Sequence, residues 1–310
     1  MDTPTITAVT LSDDLRRSAH DLLERVERTD GVAAFSEAFL LALDRGGHEH
    51  FALIDGSCPI ALASLAPDGS AELAVDPQWR CQGIGTALAQ AVLRARPGAG
   101  LWAHGNLPAA RALAESLSLR ATRELLVMEV SGEALRAIGL EGTTAGALGS
   151  VAEKRDLHIE DLSYTRSVEK WGKDAVEQAW LAANNEAFSW HPEQGGWDLD
   201  RLHRGMDVDW FDPEGVRLLW DGSTLAGFHW TKPHPNGVGE VYVVGLAADY
   251  RGAGLGDPLM RAGIEYLVAS GAARDSVILY VEADNEPAVR RYENMGFTVR
   301  ERHVVYEEYH

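Results

Sequence analysis

Residues 242–266 read YVVGLAADYRGAGLGDPLMRAGIEY, and residues 71–95 read AELAVDPQWRCQGIGTALAQAVLRA. Both begin with an apolar strand-like run, pass through a short acidic or Pro-containing turn, meet an Arg and a Gly-rich turn, and continue as an apolar-periodic helix. Arg251 follows Arg80 by 251 − 80 = 171 residues, about half of the 310-residue chain, so two copies of one α/β module are the simplest reading. The stretch 131–153 carries Gly132, Gly139, Gly142, Gly146 and Gly149, turn-formers suited to a boundary between the copies. The expected domains are residues 1–140 and 155–310.

Further strands and helices follow each turn. In the second half a strand over 276–281 leads to Asn285-Glu286-Pro287 and a helix to Met295, which Gly296 can end in the left-handed conformation. In the first half residues 101–103 lead to Asn106-Leu107-Pro108 and a helix through Leu117. Asp221-Gly222-Ser223 between 216–220 and 225–230 predicts a hairpin, Pro233 to Gly237 predicts a turn before a strand over 240–245, and 174–188 reads as the helix opening the second module.

Composition limits the function classes. Hydrophobic residues make up 45% and charged residues 24%, as in an ordinary globular chain. The net charge of −19 makes nucleic acid and anionic membrane poor partners. No apolar run reaches the ~18–20 residues needed to span a bilayer, and the N-terminus lacks a basic region followed by an apolar one, so a cytoplasmic location is expected. Cys58 and Cys81 have no metal-ligand spacing and no partner that would make either a nucleophile; neither a metal nor a disulfide framework is expected.

The string Arg251-Gly252-Ala253-Gly254-Leu255-Gly256 lets backbone approach a ligand, and amides at a helix start favour a phosphate. As a pattern it is weak alone, but Arg80-Cys81-Gln82-Gly83-Ile84-Gly85 repeats it in matching context. A dinucleotide-binding G-x-G-x-x-G followed by a spaced acidic residue is missing, as is a P-loop lysine.

The order of strand, R-x-x-G-x-G turn, helix, strand, Asn-containing turn and Tyr-bearing helix resembles the GNAT acetyltransferase superfamily. Four strings, His191 to Trp197, Gly227 to Lys232, Gly239 to Leu246 and Leu279 to Asn285, are similar to those of the mycothiol synthase family, which are tandem GNAT proteins. The specific motifs lie mainly between residues 184 and 297. The resemblance implies a mixed α/β fold of two tandem GNAT domains. It also implies transfer of acetyl from acetyl-CoA to the cysteinyl amine of a cysteinyl-glucosamine-inositol conjugate, by direct attack in a ternary complex and without a covalent enzyme intermediate.

Acetyl transfer to an amine needs a neutral nucleophile, support for the developing oxyanion and a proton for the departing thiolate. Glu240, at the start of the strand entering the Gly-rich turn, is the candidate base. Tyr292 is the candidate acid; it follows Asn285 by seven residues, two helical turns, so both can face one ligand. By resemblance, Val244, Gly245 and Leu246 supply backbone partners to the thioester and pantetheine, with Gly245 free to form a bulge. The turn from Arg251 through Gly252, Ala253, Gly254, Leu255 and Gly256 to Asp257, together with Asn285, completes that acetyl-CoA site.

In the first half, the offset of 171 sets Gly69 where Glu240 stands, and aligning Asn106 with Asn285 sets Leu113 where Tyr292 stands. The N-terminal module is therefore expected to be degenerate. It keeps a CoA-type turn, formed by Leu73, Ala74 and Val75 with Arg80, Cys81, Gln82, Gly83, Ile84 and Gly85, that binds acetyl-CoA without turnover.

The resemblance further implies that Glu193, Lys232, Glu240 and Glu282 line the amine site, with Glu37 reaching it from the first half. Trp197 and Trp230 could stack on a sugar but read as readily as core, and His191, His229 and His234 read as structural histidines. The expected partners are the small-molecule amine and acetyl-CoA, and the expected state is a monomer. On the residues alone two other readings stay open: a GNAT enzyme acting on another small amine, and a non-catalytic acyl-CoA sensor.

Overall fold

The computed structural model describes residues 5–139, 142–189 and 195–309. The chain divides into two compact units: residues 1–126 with 282–284 and 301–310, and residues 127–281 with 285–300. Residues 131–153, read as the boundary, hold two helices and fall in the second unit. Among the described residues no helix is long and apolar enough to cross a membrane.

The first unit contains β1 (Thr7–Val9), α1 (Asp13–Asp30), α2 (Glu37–Arg45), β2 (Glu49–Asp55), β3 (Cys58–Leu65), β4 (Ser70–Val75), α3 (Ile84–Ala95), β5 (Gly100–Ala103) and α4 (Pro108–Ser116). β6 (Arg120–Ser131) crosses the division at Leu126. The second unit holds α5 (Gly132–Ile138), α6 (Thr143–Arg155), β7 (Ile159–Ser163), α7 (Tyr164–Trp171), α8 (Lys173–Ala187), α9 (Leu199–Met206), β8 (Val216–Asp221), β9 (Thr224–Pro233), β10 (Val238–Leu246), α10 (Gly256–Ala269), β11 (Ser276–Glu282) and α11 (Glu286–Asn294). The last strand, β12 (Thr298–Glu307), begins in the second unit and ends in the first.

Local sequence explains the element ends. α1 starts at Ser12, whose hydroxyl accepts from Leu15 N at 3.3 Å, carries Asp13 and Asp14 in its first turn, and stops at Gly31 with φ of 72°. Its buried Ala19, Leu22, Leu23 and Val26 recur at helical spacing and face the sheet core with Ala52 and Leu62. α11 likewise carries Pro287 in its first turn and is followed by Gly296 at φ of 91°, as the sequence predicts. The predicted β8–β9 hairpin also forms, turning at Gly222 with φ of 60°.

Each unit repeats one arrangement. In the first, β1, β2, β3 and β4 pair antiparallel in order and β4 then runs parallel to β5. In the second, β7, β8, β9 and β10 pair antiparallel in order and β10 runs parallel to β11. Both parallel ladders stop early. β4 and β5 pair only at Ser70↔Gly100 and Ala71↔Leu101, although β4 continues to Val75. β10 and β11 pair from Val238↔Ser276 to Val241↔Leu279, although β10 continues to Leu246. Past those points the strands part and leave backbone donors and acceptors on their inner edges.

Candidate active site

The β9–β10 hairpin builds the centre of the second unit's site. Its turn closes through His234 N to Val238 O at 2.9 Å, and its register sets Glu240 directly across from Lys232. Residues opposite one another in an antiparallel pair have Cβ atoms about 5 Å apart. Glu240 is only 6% exposed and Lys232 7%. Glu240 is thus not the solvated strand-end residue its position in the sequence would suggest.

The Glu240 Oε2 atom lies 2.6 Å from His234 Nε2. A carboxylate can only accept, so the imidazole Nε2–H donates. The Lys232 ammonium lies 4.8 Å from the centre of the Trp210 ring and 5.7 Å from that of Tyr242, within cation–π range. A buried carboxylate, an imidazole and a caged ammonium therefore stand on one hairpin.

β10 bends between Val241 and Val243, where its register against β9 shifts. This corrects the expectation that Gly245 forms the bulge: Gly245 stays in register with Phe228. Its missing side chain has a packing cause. A Cβ there would meet Phe228 Cε1 at 2.9 Å and Ala187 Cβ at 3.0 Å. Val244 and Leu246 flank it on the strand edge that β11 has left.

The Gly-rich turn follows. Gly252 and Gly254 take φ of 73° and 92°, conformations that favour glycine, and α10 begins at Gly256 after Leu255 with no side-chain cap. Arg251 points back instead of outward: its Nε donates to Leu246 O at 3.3 Å and its Nη2 to Glu186 O at 3.1 Å. Ala253 is tied by its amide to Tyr250 O, and Asp257 stands in the first turn of α10, 3.3 Å from Arg291 Nε. Asn285 caps α11, its side chain accepting from Ala288 N at 3.4 Å.

Tyr292 is half-buried on α11, with its ring 6.0 Å from that of Phe297. Burial pushes its phenol above the ordinary value, so at neutral pH it keeps its proton. No hydrogen bond joins it to Glu240.

The first unit carries the parallel turn. Cys81 and Gly83 have φ of 60° and 78°, Gln82 lies between them, and α3 starts at Ile84 with no side-chain cap. A Cβ at Gly85 would meet Leu113 and Val75 at 3.8 Å, an ordinary contact. Arg80 uses its Nε on Val75 O at 3.1 Å, as Arg251 does on Leu246 O, and both its Nη atoms on Asp30 at 2.8 Å. Those Asp30 hydrogen bonds raise its already high basicity. Both arginines thus fasten the turn to the preceding strand. Leu73, Ala74 and Val75 lie on the β4 edge beyond the last parallel pair with β5.

Sequence reasoning missed part of this unit. Gly69 does stand in a turn at φ of 98°, but β4 carries another carboxylate, Glu72, 2% exposed. Its Oε1 is 2.9 Å from His104 Nε2 and its Oε2 accepts from Ser36 N at 2.7 Å, so both oxygens are occupied. His303 Nδ1 accepts from Gly105 N at 3.0 Å and lies 3.3 Å from His104 Nδ1. Burial, with His104 beside it, pushes His303 down to about 4.

Of the other amine-site residues, Glu37 is exposed in the first turn of α2, and Glu282 belongs to the first unit, where Arg123 Nε and Nη2 hold its Oε1 at 2.8 and 2.6 Å. Glu193 and His191 lie outside the described residues. Trp230 is 1% exposed amid Trp180, Trp210, Phe211 and Tyr242, hence core, while Trp197 is half-buried under Arg201. His229 is fully buried. His234 reads as a structural residue, yet it is the one in contact with Glu240; the predicted turn from Pro233 to Gly237, which sets the two six residues apart, was the available signal. Nothing in the sequence tied Trp210 to Lys232.

A family model described as "Acetyltransferase (GNAT) family" matches residues 13–117 and 177–297, one match in each half. The chain belongs to the GNAT acetyltransferase family. As a GNAT protein it is an acetyl-CoA-dependent N-acetyltransferase. A protein of Corynebacterium aurimucosum named mycothiol acetyltransferase is 50% identical over 306 residues, covering 94% of this chain and 95% of that one. A mycothiol acetyltransferase of Corynebacterium glutamicum is 46% identical, covering 97% of each. Among solved structures, a tandem GNAT protein from the clavulanic acid biosynthesis pathway aligns with a TM-score of 0.66 at 17% identity over 98% of both chains, a likeness of fold. The parted strand edges and uncapped helix starts of this GNAT chain fit an extended amide-bearing arm that ends in phosphates.

Proposed function

We propose that the chain transfers acetyl from acetyl-CoA to the cysteinyl amine of a cysteinyl-glucosamine-inositol conjugate, giving mycothiol, and that the second unit does the chemistry. The observation that carries the catalytic assignment is the buried Glu240 carboxylate, held by His234 and facing Lys232 across the hairpin. The names of relatives up to 50% identical support the substrate class.

Glu240 takes the proton of the α-amino group, whose ordinary pKa of about 7.7–8.0 makes this step cheap near neutrality. The freed nitrogen lone pair bonds to the thioester carbonyl carbon as the carbon–sulfur bond breaks, and the acylated nitrogen sheds its surplus proton, which replaces the one Tyr292 gives to the thiolate. The inner edge of β10 at Val244, Gly245 and Leu246 offers backbone groups to the thioester and its arm, and the α10 amides face the diphosphate. Tyr292 returns a proton to the departing thiolate. An unshifted phenol would pay about 2 kcal/mol against a thiol, and burial raises that cost unless the thiolate shares the same low-dielectric setting. Lys232 and the neighbouring rings suit a polyol conjugate, with hydrogen bonds to hydroxyls and apolar contact to C–H groups.

The first unit is read as an acetyl-CoA-binding module without turnover, since both oxygens of its strand carboxylate are engaged. Glu240→Gln tests the assignment: turnover should fall at least about tenfold while the thermal melt and acetyl-CoA binding persist. Unchanged turnover would remove Glu240 from the role.

A further inference from the structure

We infer that His234 is the positioning residue of the proton acceptor, a role the turn after β9 creates by folding His234 back onto β10. The inference rests on the reading of Glu240 as base. Three of the carboxylates with low side-chain exposure are held differently. Glu72 has both oxygens occupied, by His104 and Ser36 N. Glu282 has its Oε1 taken twice by the Arg123 guanidinium, at 2.8 and 2.6 Å. Glu240 is held through Oε2 alone, by an imidazole at 2.6 Å.

That difference matters chemically. A carboxylate at 8% side-chain exposure loses most of its hydration, and a buried charge is costly unless a donor meets it. One imidazole N–H compensates part of that loss while leaving Oε1 without a protein donor among the described residues. It also fixes the carboxylate rotamer, so the free oxygen has a defined direction. Lys232, across the strand pair, is the other charged group of the hairpin beside Glu240; its ammonium is drawn over Trp210 and Tyr242. His234 itself is 27% exposed, and its turn is closed by His234 N to Val238 O and Gly237 N to His234 O. Its backbone is thus held independently of the imidazole.

The test compares His234→Ala, His234→Gln and Glu240→Gln in steady-state turnover with acetyl-CoA and the cysteinyl conjugate, together with acetyl-CoA binding by calorimetry. Glutamine can place an amide N–H near the position of the imidazole Nε2–H. His234→Ala should lower kcat about tenfold or more, with acetyl-CoA affinity within about twofold, and His234→Gln should recover kcat to within about threefold of the parent. Wild-type kcat in His234→Ala, or His234→Gln no faster than His234→Ala, would overturn the inference. Glu240→Gln separates the two readings. If it is slow while His234→Ala is not, only the positioning role fails; if it keeps full turnover, the base assignment itself falls. Should His234→Ala fold poorly, the ratio of His234→Gln to the parent decides, with full acetyl-CoA binding and kcat lowered more than threefold counting against the inference.

Discussion

The guanidinium of Arg291 lies on the backbone of Gly256, so close that a Cβ at Gly256 would stand 1.8 Å from Nη1 and 2.6 Å from Cζ. A residue of α11 thereby adds a positive charge where the α10 amides already favour an anion, with Asp257 balancing it at 3.3 Å. The side chain is 47% exposed and can swing away. Gly256→Ala should therefore cost less than about 1 kcal/mol of stability but displace the guanidinium, weakening acetyl-CoA binding about tenfold. Calorimetric titration checks this; unchanged affinity would show that the Arg291 position is immaterial to the ligand.

Gly263 gives the opposite case on the same helix. A Cβ there would lie 2.2 Å from His229 Nδ1 and Cε1, and His229 is fully buried with Nδ1 on Leu259 O at 3.0 Å. The ring has no open space to enter. Gly263→Ala should destabilise the chain by about 3 kcal/mol through overpacking, read as a lowered urea midpoint. A midpoint equal to the parent's would contradict the packing account.

Acid sensitivity should follow from two imidazoles. Burial pushes His229 down to about 4, and burial with neighbouring His104 does the same to His303. Folded, both stay neutral as pH falls, whereas unfolded they protonate near 6.5. The unfolded chain thus binds more protons between 6.5 and 4, and stability is full above 6.5 and lost on descending through that window. The His229 shift alone corresponds to about 3 kcal/mol. Urea midpoints at about pH 7, 6 and 5 should decline. A flat profile over that range would refute it.

The two-module architecture was legible because its signals are local. Strand-turn-helix order, positive-φ glycines and helix caps depend on a few consecutive residues, and Asn285, Pro287 and Gly296 end α11 where the sequence places them. The repeated R-x-x-G-x-G turn was equally local, although its arginines prove to fasten the turn to Val75 and Leu246. What a side chain meets across the sheet was not legible. Gly245 read as a bulge former, and only packing against Phe228 and Ala187 reveals its cause. Trp210 comes to Lys232 through the tertiary fold, and Glu72 reaches His104 over 32 residues of chain.

Spacing and residue type alone determined the duplication and the turns, since short-range backbone preferences and periodicity encode both. Tertiary structure decided the state of each carboxylate: Glu72 saturated, Glu282 ion-paired, Glu240 held through one oxygen by His234. Burial and hydrogen-bond partners set the basicity of a carboxylate, and both come from residues that only folding brings within reach.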